Sequence, residues 1–170
     1  VPLGESFSWE DEYSSDILDP IAYTGTYTAC IKSVKKLEDS EYEQYDLEKE
    51  ENADAYLISI EMSGDITPTV GKVSYNSTIP NISGTRVPEG GGYMGAVTSG
   101  FDGSISRVIS DKYGLSTLLN NNENNQVDYS GEFIVYGYKE YENLLMIKVQ
   151  KKYLDENVPS DEKYIYFKLK

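Results

Sequence analysis

Alternation of apolar and polar positions is the dominant pattern along this chain. Residues 22–34 read Ala-Tyr-Thr-Gly-Thr-Tyr-Thr-Ala-Cys-Ile-Lys-Ser-Val, which puts Tyr23, Gly25, Tyr27, Ala29 and Ile31 on one side and Thr24, Thr26, Thr28, Cys30 and Lys32 on the other. Successive side chains of a strand point to opposite faces, so the segment predicts a half-buried strand. Residues 55–62 repeat the pattern, with Tyr56, Ile58, Ile60 and Met62 inward and a stop at Gly64-Asp65. Residues 70–77, between Pro68 and Pro80, predict a shorter strand nearer an edge. Phe101-Asp102-Gly103-Ser104 predicts a type I′ hairpin with arms at 93–101 and 104–109. The polar run 120–126 predicts a solvent loop, because it can bury almost nothing. Residues 132–138 and 144–152, joined by a turn at 140–143, predict a second hairpin in which Leu145, Ile147 and Val149 share a face. A last strand at 164–169 turns Ile165, Phe167 and Leu169 inward.

No sustained helical period interrupts this sequence of roughly seven to nine short strands, so the expected fold class is all-β: an immunoglobulin-like antiparallel β-sandwich with at most one or two short helices. Residues 22–170 are read as one sandwich domain. Residues 1–21 are read as an acidic N-terminal arm or, alternatively, an edge strand that docks Phe7 and Trp9.

Charge narrows the partners. The 170 residues carry 29 Asp and Glu against 15 Lys and Arg, a net charge of -14, which repels a phosphate backbone and argues against nucleic acid. Fifteen of the acids and only four of the bases lie in residues 1–54. Nine carboxylates crowd residues 38–54 against Lys49, so that stretch must stay solvated, and a loop is the favoured reading over a short helix. Histidine is absent, which removes histidine-based triads, histidine-ligated zinc and imidazole acid–base chemistry. The single Cys30 lies in an alternating apolar stretch and reads as a small buried hydrophobe. No run is long and apolar enough for a membrane helix. The chain opens Val1-Pro2-Leu3-Gly4 without an initiator Met, and the expectation is a mature form whose leader has been removed. Sixteen Tyr against four Phe favour rings with a polar tip, as on half-wet sheets and contact surfaces, and fit an exported protein of a Gram-positive bacterium.

The order of an early strand at 23–34, an acidic insertion, a strand at 55–62 and a closing strand at 164–169 resembles the telokin-like, immunoglobulin-fold domains of secreted Gram-positive lipoproteins. The resemblance implies binding and not catalysis, and surface attachment through a lipid anchor on a cysteine upstream of Val1. It assigns no site residue. The Gly-rich segment 89–95 and the asparagine run have no counterpart in that pattern, and the Cys-Trp-Cys of antibody domains is absent.

Motifs for chemistry are weak. Gly90-Gly91-Gly92-Tyr93-Met94-Gly95 satisfies G-x-G-x-x-G in letters, but Pro88-Glu89 precede it and a strand pattern follows, so it reads as a loop, bulge or strand entrance. Glu61 and Glu132 are the carboxylates nearest strand patterns, yet nothing isolates them as a hydrolytic pair. The acids at 10–19 and 38–54 offer oxygens for calcium without a calcium-loop motif, and a solvated acidic face is the favoured reading. The sequons at Asn76 and Asn81 mark a polar stretch only. No cofactor and no metal are expected. The leading expectation is a non-catalytic extracellular or cell-surface module that binds a protein or glycan, with Tyr42, Tyr45 and Tyr93 as the exposed aromatic contacts. Two alternatives stand beside it: an acidic immunity or inhibitor protein that meets a basic partner through Glu41, Glu43 and Glu48, and a carboxylate-based hydrolase.

Overall fold

The structure is a computed structural model that describes residues 1–13, 21–69, 73, 78–88, 92–95, 118–119 and 123–170. The strand expected at 70–77, apart from Val73, and the Asp102-Gly103 hairpin lie outside the described residues, as do most of that hairpin's arms.

Two four-stranded antiparallel sheets carry the described fold. The first orders β1 (Ser6–Tyr13), β2 (Tyr23–Lys36), β3 (Ala53–Pro68) and β6 (Asn125–Tyr138); the second orders β5 (Tyr93–Gly95), β4 (Ile82–Arg86), β7 (Leu144–Lys148) and β8 (Tyr164–Lys168). The alternation in the sequence dictates which faces meet. Tyr27, Ile31, Ile58, Ile60, Phe133 and Val135 from the first sheet join Leu145, Ile147, Ile165 and Phe167 from the second in one buried cluster. Hydrophobic burial across this interface is the main stabilising term, worth roughly 1.5–3 kcal/mol for each large side chain removed from water. Thr85 adds a polar tie by donating from its hydroxyl to the Tyr136 carbonyl of the other sheet at 2.6 Å.

The N-terminal segment takes the edge-strand alternative. All eight residues of β1 pair with β2, and Trp9 is buried and stacked on Tyr27 with ring centroids 5.6 Å apart. Phe7 pairs in the same strand but stays 42% exposed.

Three expectations need correction. Residues 132–138 and 144–152 do not form a hairpin: β6 belongs to the first sheet and β7 to the second, so the turn between them crosses from one layer to the other. Buried Asn143 builds that crossing, accepting from the Tyr138 amide at 2.9 Å and donating to the carbonyls of Tyr138 at 2.9 Å and Tyr141 at 3.0 Å. The strand expected as far as 152 stops at Lys148, and α2 (Gln150–Leu154) follows. The cause is Asp11 on β1, whose carboxylate takes the amide N–H groups of Gln150 and Lys151, both at 2.9 Å, and so diverts them from a sheet ladder into a helical turn. Finally, Asn125 and Gln126 open β6 and are not loop, because β3 runs past the expected stop at Gly64-Asp65 and pairs Ile66 with Asn125 and Asp65 with Gln126.

Candidate functional site

The two outer sheet faces differ in chemistry. On the first sheet, cross-strand rows read Ser8, Thr28, Ser63, Asp128 and Glu10, Thr26, Asp65, Gln126. That face is hydroxylic and acidic. One end of it is covered by the acidic segment: α1 (Asp39–Tyr42) and the turns after it lay Tyr42, Tyr45 and Leu47 on Ala55, Leu57, Ile134 and Tyr136.

This covering corrects the expectation for Tyr42. Its ring is buried, and its hydroxyl accepts the amide N–H of Ala55 at 2.9 Å, so it is a structural residue. Tyr45 is half-buried in the same cluster. The carboxylates around them are divided between structure and solvent. Glu41 pairs with Lys35 and accepts the Glu38 amide at 2.9 Å in a capping box, and the Lys35 bond holds its carboxyl below the ordinary range. Asp39 pairs with Lys49 at 2.9 Å and Asp54 with Lys36 at 2.7 Å. Glu43, Glu48, Glu50 and Glu51 remain exposed.

The outer face of the second sheet is aromatic and basic. Since Thr85, Leu145, Ile147, Ile165 and Phe167 turn inward, their sequence neighbours turn outward, and the register builds rows from them. Tyr93, Arg86, Leu144 and Lys168 form one row; Met146 and Tyr166 stand in the next; Lys148 and Tyr164 follow. The Arg86 guanidinium donates to the Tyr166 hydroxyl at 3.1 Å, and the Tyr93 hydroxyl donates to the Ser83 carbonyl at 2.7 Å. Gly84, at φ 122 beside a register shift, provides the local bend in β4. Tyr153 on α2 extends the face, with the Lys148 ammonium 3.6 Å from its ring centroid and that of Lys163 5.8 Å away.

Tyr93 and Tyr153 are 54% and 44% exposed, so both can touch a partner. Partial burial, and then the neighbouring phenols of Tyr153, Tyr93 and Tyr166, raise the pKa of Tyr164 above the ordinary phenol value. Arg86, Lys148 and Lys163 have no carboxylate at ion-pair distance among the described residues, whereas Lys168 meets Glu142 at 3.5 Å.

Tyr93 is thus the one expected contact residue that the structure leaves open to solvent. Tyr153, Tyr164, Tyr166 and Arg86 were missed by sequence reasoning, though for Tyr164, Tyr166 and Arg86 the alternation with inward residues carried the signal. Among the described residues, the Gly-rich letters lead into β5 and not into a helix. Beside Tyr93 a cleft of about 670 Å³ opens at the layer-crossing turn, lined by Val87, Gly92, Tyr138 and Tyr141 among others. Glu61 and Glu132 lie on the open outer face of the first sheet, with Glu61 paired to Lys32 at 3.3 Å. Among the described residues no group of three or more Cys, Asp or Glu side chains is arranged to hold a metal ion, and no helix is long and apolar enough to cross a membrane. No family model, curated protein or solved structure matches the chain.

Proposed function

We propose that the protein is a non-catalytic recognition module, displayed outside the cell, that binds a protein or glycan through the outer face of its second sheet. The observation that carries this reading is the row of exposed Tyr93 beside Arg86, continued by Tyr166, Tyr164 and Tyr153, in a chain whose net charge is -14. Tyr and Arg are the residue types that dominate binding hot spots, because they bury large area at low entropic cost and keep a polar tip for hydrogen bonding. A rigid sheet holds them in place, which reduces the ordering cost of binding. The immunoglobulin-like reading is part of this proposal and rests on two antiparallel layers with a common core. The described strand order, a β1–β2–β3 meander followed by β6, differs from the ABED and CFG arrangement of immunoglobulin domains.

The test is an array of glycans and extracellular proteins probed with the full chain and with two variants. Arg86→Ala with Tyr93→Ala should weaken any specific binding by about 30-fold or more, as loss of a hot-spot pair does. Replacing Glu43, Glu48 and Glu50 by Gln should leave it intact. The opposite pattern, with steep salt dependence, would instead identify the acidic segment as the binding site for a basic partner.

A further inference from the structure

The cleft at the layer-crossing turn has walls that are tied to one another by hydrogen bonds. The Lys139 amide donates to the Asn52 carbonyl at 3.0 Å and the Lys139 ammonium to the Glu51 carbonyl at 2.8 Å, which joins the turn after β6 to the residues before β3. The Val87 amide donates to the Gly92 carbonyl at 2.7 Å and the Tyr138 hydroxyl to the Tyr93 carbonyl at 3.4 Å, which draws both ends of the β4–β5 connection onto the same turn. At about 670 Å³ the opening falls in the size range of small-molecule sites.

Two observations define its chemistry. The first is the lining. The rings of Tyr138 and Tyr141 and the buried side chain of Val87 supply the apolar part, and Tyr141 is 53% exposed. With them lie the Asn52 amide, the Glu140 carboxylate and the Tyr141 hydroxyl, none of which has a hydrogen-bond or ion-pair partner among the described residues. An amide and a phenol each donate and accept, and a carboxylate accepts, so the set can read hydroxyl groups in either sense. The second observation is the backbone of Glu140, which sits at φ 65, a left-handed conformation that glycine or asparagine adopts at less cost. A glutamate kept at such a position, lining a cleft and bonded to nothing in the fold, fits strain that is retained for a site.

Charge then selects the ligand. Glu140 and a net charge of -14 disfavour an anion, and the neighbouring Lys139 ammonium offsets the attraction for a cation. What remains is a neutral ligand with hydroxyl groups at its edge and apolar C–H faces. We propose that the cleft binds a neutral saccharide unit, its C–H face against the Tyr141 ring and its hydroxyl groups bonded to Glu140 and Asn52. The proposal rests on the recognition reading above and names its ligand class: a glycan whose end residue occupies the cleft while the rest of the chain continues past Tyr93 onto the sheet face.

The probes are lactose, cellobiose, mannobiose and N,N′-diacetylchitobiose, with cyclohexanol as a ring that carries a single hydroxyl, each titrated into the 15N-labelled full chain. At least one disaccharide is expected to move the Gly92, Lys139, Glu140 and Tyr141 amides saturably below about 20 mM, where weak recognition still registers. Tyr141→Ala should weaken that disaccharide about tenfold by removing the ring face. Glu140→Asn suits the left-handed backbone and withdraws the charged acceptor, so binding should fall at least about fivefold while Tm holds or rises. A merely structural Glu140 would instead lower Tm and leave affinity unchanged. The proposal is overturned if no disaccharide shifts the cleft, if cyclohexanol binds as tightly as the best of them, or if both variants bind undiminished. Failure of the sheet-face reading looks different: a disaccharide that titrates the cleft, in a chain whose array binding ignores Arg86→Ala with Tyr93→Ala, supports the cleft and removes the sheet face. A silent cleft, in a chain whose array binding needs Arg86 and Tyr93, removes this proposal and leaves that reading standing.

Discussion

Gly137→Ala puts the turn that joins the two layers to a quantitative test. A Cβ at this position would lie 2.8 Å from Asn143 Cγ, 2.9 Å from Asn143 Nδ2 and 3.0 Å from the Tyr56 ring, distances at which something must shift. The Tyr56 ring is packed in the core, so the displaced group is the Asn143 amide, which is 4% exposed and holds the turn through three hydrogen bonds. Overpacking of this kind costs about 1–3 kcal/mol, and a buried polar group left unpaired costs about 1–3 kcal/mol more. The lower backbone entropy of alanine in the unfolded chain returns roughly 0.4–1 kcal/mol. The net expectation is a loss of about 2–4 kcal/mol, or a Tm lower by roughly 5–15 °C at this chain length. Urea unfolding of the single and double variants measures it. If the Asn143 contact is the cause, Gly137→Ala should cost about 1 kcal/mol or less in an Asn143→Ala background, giving a coupling of at least about 1 kcal/mol. A single-variant loss below about 0.5 kcal/mol, or strictly additive variants, would refute this reasoning.

Asp11→Ala should lower stability by about 1–2 kcal/mol, because two amide N–H groups at the start of α2 lose their acceptor. Burial raises the Asp11 pKa against the lowering effect of its backbone hydrogen bonds, so the native state takes up this proton more readily than the unfolded chain. The stability of the natural chain relative to Asp11→Asn should therefore increase as pH falls through the raised native value toward the ordinary carboxylate range, and pH-dependent urea unfolding would show it. Gly64→Ala places a Cβ 3.1 Å from the Tyr27 ring and 3.3 Å from Val127, for an expected loss of about 1–3 kcal/mol by thermal unfolding. Tyr42→Phe should cost about 1–2 kcal/mol by orphaning the Ala55 amide and leave binding on the array unchanged; lost binding at full stability would contradict the structural role given to this ring.

Periodicity made much of the core legible. The inward series at Tyr23, Tyr27, Ala29 and Ile31, at Tyr56 to Met62, and at Ile165, Phe167 and Leu169 are all buried, because a strand with one wet face must alternate. Glycine was the misleading signal. Gly64 looked like a stop, yet it lies within β3, where absence of a Cβ makes room for the Tyr27 ring. The change of sheet after Tyr138 was illegible, since a turn of this length fits a hairpin equally well and nothing in the sequence marks Asn143, the residue that holds the turn, as buried. Helix α2 depends on Asp11, 139 residues away from Gln150, and local propensity carries no trace of such a contact. At the candidate site, Tyr93 was legible as an exposed ring in a Gly-rich stretch. Tyr42 was not legible as buried, because acidic neighbours mask the small apolar platform of Ala55 and Ile134 on which it rests.

The sheet-face account is tested most directly by tyrosine nitration of the free chain and of its complex with the tightest binder from the array, read residue by residue by peptide mass spectrometry. Free, Tyr93 and Tyr153 should react readily and Tyr42 should not, in line with their exposures of 54%, 44% and 6%. In the complex the account predicts that Tyr93 and Tyr153 are protected while Tyr45 reacts as before. Unchanged reactivity at Tyr93 and Tyr153, with protection moving to Tyr45, would contradict it.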